Sequence, residues 1–177
     1  MRTEPWVGDR KMPKAPEGRP TAVPFFFAMS HTYCCSLFHC AFSTKERQKT
    51  IVPEIQAPLW AYMGGVAREH GMKALAGGGM DDHVHLLLSL PSILSIAAAM
   101  RDIKSASSHW MRESSGISRF EWQEGNGAFS IGWGQVRTTL AYIAGQKEHH
   151  LKRNFQAEFL AFLGKHRIEY DPRFVWG

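Results

Sequence analysis

Two histidines flank a single valine at positions 83 to 85, inside the apolar run Val84, Leu86, Leu87 and Leu88. Successive side chains of an extended strand alternate between its faces, so His83 and His85 project side by side while Val84, Leu86 and Leu88 turn the other way. Two parallel imidazoles can present nitrogens to one divalent cation and leave its remaining positions to a phosphate oxygen or water. A pair of this kind also serves as two hydrogen-bonded or solvent-facing side chains, since each ring both donates and accepts. The second constellation is Tyr142 with Gln146. At about 100° per residue, Gln135, Thr138, Tyr142, Gln146 and His149 share one helix face, with Val136, Leu140 and Ile143 as the apolar anchor. A phenol beside a cation and a phosphodiester loses its proton more readily and can attack phosphorus, and an amide oxygen one turn away can complete a metal shell. A tyrosine at a helix border is also well served by packing its ring and wetting its hydroxyl.

These groups need elements to hold them. Residues 32–42, rich in β-branched, aromatic and sulfur-bearing side chains, predict a first strand. Residues 51–70 predict a helix with Ile51, Ile55, Leu59, Tyr62, Met63 and Val66 on one side, interrupted near its start by Pro53 and Pro58 and stopped by Gly71. A short strand over 72–76, a glycine turn over 77–79 and the histidine strand over 82–90 follow, the last ended by Pro91. Ser92 or Ser95 can cap a second helix running to about Arg112. A strand near 128–131 and two helices, over 135–150 and 154–166, complete the pattern. The order strand, helix, strand, strand, helix, strand predicts an α+β fold of the split βαβ (ferredoxin-like) kind. Its antiparallel sheet carries two helices on one face and leaves the other free for a ligand or partner, with C-terminal helices carrying the tyrosine.

The chain has 177 residues, 21 Lys plus Arg against 16 Asp plus Glu, a formal net charge of +5 and 44% hydrophobic residues. That is enough for one packed domain and excludes disorder throughout, while the basic balance favours a polyanionic partner. No apolar run reaches the roughly 18 to 20 residues that span a bilayer, and the first one, 22–29, lacks the layout of a secretory signal. A cytoplasmic protein without membrane attachment is expected. Cys34, Cys35 and Cys40 are an odd, clustered set that fits reduced strand cysteines better than disulfides or a zinc site. Residues 1–24 hold five of the nine prolines and no apolar period. The expected division is therefore a disordered N-terminal extension over 1–28 and one functional domain over 29–177, with Met29 as its start.

The stretches LFHCAFSTKER, GGGMDDHVHLLLSLP, MRDIKSASSHWM and the long segment from FEWQEGNGAFSIGW through AYIAGQKEHH to DPRFVW cover nearly everything after Ser30. In type, order and separation they resemble the single-tyrosine HUH transposases of the insertion-sequence-200 kind, and within them the REP-associated tyrosine transposases. This resemblance implies a metal-dependent nuclease and strand transferase acting on single-stranded DNA with hairpins, at palindromic repeats or element ends, and working as a homodimer. His83 and His85 match the HUH histidines, Tyr142 the nucleophile and Gln146 the third metal ligand, with Mg²⁺ or Mn²⁺ as the expected cation. Lys45, Arg47, Arg101, Lys104, Ser107 and Ser108 match basic and small polar positions that contact the phosphate backbone, although solvated loop and helix charges have the same look. His149 and His150 recur in a QxxHH pattern, and His149 is a candidate for donating to a phosphate, for proton transfer or for capping its helix. Trp122, Phe129 and Trp133 can stack on bases or join the core. Residues 1–27 have no counterpart in the resemblance. Two other readings share the pattern: a non-catalytic nucleic-acid-binding module of the same fold, and a small metal-dependent hydrolase that does not use Tyr142.

Overall fold

The computed structural model describes residues 6–7, 33–150 and 154–176, with only the backbone of His149. Alternating side chains build its sheet. Strand β2 (Ser36–Ser43) runs antiparallel to β4 (His83–Leu90) at the centre, with Ser43 opposite His83 and Ala41 opposite His85. Strand β3 (Lys73–Gly79) flanks β4, and β5 (Gly127–Ile131) flanks β2. A two-residue strand, β1 (Trp6–Val7), pairs with Gly77 and Ala76 on the outer edge of β3, giving the order β1-β3-β4-β2-β5. Apart from β1, this is the expected split βαβ sheet.

Helix α1 (Pro53–Glu69) starts on a proline, where the missing N–H has no partner to lose. Helix α2 (Ile96–Ser114) is capped by Ser95, whose hydroxyl accepts the N–H of Ala98 at 3.2 Å, worth about 1 kcal/mol. Both helices pack on one face, where Cys40, Phe42, Val84, Leu86 and Leu88 of the sheet meet Leu59, Trp60, Met63, Met100 and Ile103. Cutting one of those leucines back to alanine costs about 2–5 kcal/mol. The other face, expected to be free, is covered. Helix α3 (Val136–Ala144) sets Ile143 against Ala76 and Leu87, and α5 (Phe155–Lys165) sets Phe155, Phe159 and Leu163 against Ala41 and Phe129. Between them lies the short helix α4 (Gln146–His150).

Four expectations need correcting. The glycines at 77–79 are not a turn but the end of β3, where absent side chains let helices approach both faces. A Cβ on Gly77 would stand 3.5 Å from that of Trp60, and one on Gly78 only 2.8 Å from the carbonyl oxygen of Ile143. The helix expected over 135–150 breaks at Gly145, which leaves helical geometry with φ −89° and ψ 14°. The first strand begins at Ser36, not residue 32, so Cys34 and Cys35 are exposed before it and only Cys40 is buried; all three are free thiols. Burial pushes the Cys40 thiol up to about 12. Trp6 and Val7 join the sheet although they lie in the segment expected to be disordered; the rest of 1–28, and Met29, lie outside the described residues.

Candidate active site

The alternation of β4 sends Val84, Leu86 and Leu88 into the core beneath α1 and α2, and turns His83 and His85 toward α3 and α5. Each ring is then oriented through its Nδ1. That of His83 lies 2.6 Å from Oδ1 of Asp82, and that of His85 lies 3.0 Å from Nε2 of His39 on β2. Burial pushes the Asp82 carboxyl up, but the hydrogen bond and charge of His83 outweigh it and hold the group below its ordinary range. Burial, and then the charges of His83 and His150, hold His85 well below its ordinary range, so its ring is neutral.

Both Nε2 atoms point away from the sheet, into a small polar cluster. Nε2 of His83 lies 3.3 Å from Oε1 of Gln146, which also lies 3.0 Å from Nε2 of His150. The Gln146 amide donates to Oε1 of Glu158 at 3.4 Å. Oε2 of Glu158 stands 3.6 Å from Nε2 of His85 and 3.3 Å from Nε2 of His150. At 3.6 Å, with the His85 ring neutral, the contact between His85 and Glu158 is neither a hydrogen bond nor a salt bridge. Burial pushes the Glu158 carboxyl up to about 7, Asp82 adding to the rise and His83 opposing it.

The cluster fits a cation. One ligand atom from each of His83, His85 and Glu158 lies within 4.8 Å of the others. Bonds of roughly 2.0–2.2 Å put the ligands of one ion roughly 3–4.5 Å apart. Nε2 of His85 and Oε2 of Glu158 are both buried without a hydrogen bond, which is the state expected of ligand atoms.

Tyr142 belongs to the same cluster. Its ring meets those of His85 and His39 edge-on at 5.7 Å each, and Phe162 of α5 at 5.6 Å. Phe155 stacks on His83 at 4.6 Å. The helix that carries Tyr142 thus lies over two oriented imidazoles, beneath aromatic rings of α5. The model of the transposase IS200 like family matches residues 32–146, well over half of the chain and all of β2 through Gln146.

The chain belongs to this family.

Solved structures agree with an IS200-like fold. A candidate transposase from Deinococcus radiodurans R1 superposes with a TM-score of 0.54 at 20% identity, over 66% of this chain and 94% of that one. A REP-associated tyrosine transposase bound to a REP hairpin superposes with a TM-score of 0.53 at 18% identity, over 67% of this chain and 71% of that one. No curated protein matches the chain significantly. Among the described residues, no helix is long and apolar enough to cross a membrane.

In this IS200-like transposase His83, His85, Tyr142 and Gln146 come together, while the candidate phosphate contacts divide. Lys45, Arg47, Lys104 and Ser108 line one surface cavity of about 750 Å³ together with Trp176. Within it Lys45 pairs with Glu121 at 2.5 Å, and the Arg47 guanidinium lies 5.8 Å above the Trp176 ring. The Lys104 ammonium donates to the carbonyls of Gln123, Glu124 and Gly125. Arg101 is outside the cavity and pairs with Asp102. Ser107 is buried, donating to the carbonyl of Ile103 and accepting from Nε1 of Trp122. Trp122 and Phe129 are core residues, and Trp133 is exposed. The side chain of His149 lies outside the described residues.

Sequence reasoning missed His39, Asp82, His150 and Glu158 as members of the cluster. Glu158 had a readable signal: it interrupts the apolar i, i+3, i+4, i+7 stripe of Phe155, Phe159 and Phe162, and a carboxylate on a buried stripe needs a partner.

Proposed function

We propose that the chain cuts and rejoins single-stranded DNA beside hairpins through a 5′-phosphotyrosine on Tyr142, with Mg²⁺ or Mn²⁺ held by His83, His85 and Gln146. The meeting of Tyr142 with two oriented histidines in one buried cluster carries this reading. When bound, the cation polarises the scissile phosphate and offsets charge that builds in the transition state. Asp82 and His39 hold the two imidazoles with Nε2 inward, fixing their tautomers as partners of metal-bound histidines do. Gln146, one turn beyond Tyr142, turns its amide oxygen toward His83.

Tyr142 Oη attacks phosphorus in line, and the bond from phosphorus to the 3′-oxygen breaks. The phenolic proton leaves to solvent, and the departing 3′-oxygen takes one up. Attack by a second 3′-hydroxyl on the phosphotyrosine restores a phosphodiester and returns the phenol, so the exchange needs no nucleotide cofactor.

Phe155 and Phe162 lie over His83 and Tyr142, so a phosphate reaches the cluster only as these rings give way. An unpaired strand needs the smaller displacement and exposes its bases and backbone together. The hairpin held by the structurally similar transposase supports the same substrate form. A single nucleophile per chain holds one strand end at a time, and a homodimer supplies two such sites.

Hairpin-bearing single-stranded DNA incubated with the protein and Mn²⁺ tests the reading. A covalent adduct mapping to Tyr142, lost in Tyr142→Phe with hairpin binding retained, is the expected result. His83→Ala should also abolish cleavage. An adduct on another tyrosine, equal cutting of the fully paired DNA, or undiminished cleavage by Tyr142→Phe would overturn it, the last in favour of a water-using metal hydrolase.

A further inference from the structure

We propose that Glu158 is itself a ligand of the catalytic cation, supplied by α5 from outside the segment that the family model matches. The proposal rests on the reading above only in taking His83 and His85 as metal ligands. The matched segment ends at Gln146, so the ligands drawn from it, His83, His85 and Gln146, are neutral when bound. Glu158 comes 12 positions later than Gln146 and adds the one anionic group.

Three observations point to it. The carboxylate is buried on the underside of α5, where an ionised group without compensation is costly. Its Oε2 and Nε2 of His85 face each other at 3.6 Å and neither has a hydrogen bond, the other neighbour of that oxygen being Nε2 of His150 at 3.3 Å. A cation between them would satisfy both atoms at once. The Gln146 amide donates to Oε1 of Glu158 at 3.4 Å and turns its oxygen toward His150 and His83, which ties the carboxylate to the histidine cluster.

Two imidazoles, a carboxylate and an amide oxygen form a mixed nitrogen and oxygen set. Such a set leaves positions open for phosphate and nucleophile on a six-coordinate ion such as Mn²⁺. The carboxylate also makes docking of α5 part of metal binding, so the ion should fasten the helix to the sheet.

Calorimetric titration of Mn²⁺ into metal-stripped full-length protein, without DNA, tests the assignment. Glu158→Gln should weaken Mn²⁺ binding at least tenfold and reduce the rise in melting temperature that Mn²⁺ gives the wild type. Glu158→Asp should recover part of the loss, and Gly65→Ala, on α1 with nothing within 4 Å of the added atom, should bind as the wild type does. Melting without metal shows whether Glu158→Gln keeps its fold, and Glu158→Asp, which keeps the charge, provides the second variant. Wild-type Mn²⁺ affinity in Glu158→Gln would overturn the proposal, and a simultaneous rise in cleavage would identify the carboxylate as a block to DNA. Loss of Mn²⁺ affinity in Glu158→Gln together with full cleavage by Tyr142→Phe would leave Glu158 as a ligand and remove the phosphotyrosine.

Discussion

Nε2 of His39 lies 3.0 Å from Nδ1 of His85, and both rings are buried on the face of the sheet that α3 and α5 cover. For His85 to offer the lone pair of Nε2 to a cation, its proton must sit on Nδ1 and be donated to His39, whose own proton is then on Nδ1. His39 is thereby a positioning residue. His39→Phe should weaken Mn²⁺ binding about 10- to 100-fold, and His39→Gln, which keeps an acceptor, should recover much of it; calorimetry on the two variants decides. Equal affinity in wild type and His39→Phe would show that the pair is structural.

The same pair predicts a pH dependence of stability in the metal-free protein. Burial, and then the charges of His85, His166 and Lys165, bring His39 down from 6.5 to about 2, and His85 is held well below its ordinary value. Below pH 6.5 the unfolded chain protonates these rings and the folded one does not, so the stability they contribute is full above that pH and lost as it falls. Glu158, raised from 4.5 to about 7, works the other way: between those values it is protonated only when folded, and its contribution falls as pH rises. Below pH 6.5 the two rings favour proton uptake on unfolding and the carboxyl opposes it, so the stability of the metal-free protein should fall as the pH drops through this range. His39→Asn should make urea-unfolding stabilities at pH 6.3 and 5.0 nearly equal; a slope as steep as the wild type's would rule out this account.

Gly78→Ala should disable the enzyme without unfolding the sheet. The new Cβ would meet the carbonyl oxygen of Ile143 at 2.8 Å and its Cγ2 at 2.9 Å, forcing α3 and Tyr142 away from β3 at a cost of about 1–3 kcal/mol. Cleavage should fall more than tenfold, with a lower melting temperature. Gly65→Ala, on α1 with nothing within 4 Å of the added atom, should raise stability by about 0.5–1 kcal/mol and leave cleavage unchanged.

Lys104 should behave as a structural residue. Burial lowers its pKa against the pull of Glu124, and its ammonium ties down three successive carbonyls at 2.5, 2.8 and 3.0 Å. Lys104→Met should lower the melting temperature, with a loss of about 1.5–3 kcal/mol. Arg47→Ala should leave melting unchanged, weaken binding to single-stranded DNA and reduce its salt slope by about one.

Much of this was legible before the structure. Period-two alternation put His83 and His85 on the face opposite Val84 and Leu86, and the helices expected after Ser92 or Ser95 and over 154–166 stand at Ile96–Ser114 and Phe155–Lys165. The glycines at 77–79 misled because three in a row signal a turn, whereas here they permit tertiary contact that no local pattern encodes. Gln146 stayed beside Tyr142 although Gly145 breaks the helix, since the turn is nearly preserved and the Gln146 amide still reaches the Tyr142 carbonyl at 3.4 Å. His39 carries no motif, and Glu158 shows only as a charge in an apolar stripe, which names no partner. Their importance comes from which strand and helix fold over His85, and that is a property of topology. Lys104 and Ser107 matched a nucleic-acid-binding pattern, but their polar atoms serve the protein's own backbone and Trp122.

The contacts that close the cluster join residues 46 positions apart in His39 and His85 and 63 apart in His83 and Gln146. Contacts of such separation form late and slowly, and a chain leaves the ribosome at about 5–20 residues per second, N-terminal parts first. The nascent chain therefore acquires its histidines before the helix that bears Tyr142, and that helix before Phe155, Glu158 and Phe162. The cluster is thus complete only once α5 has been made and has folded over the sheet.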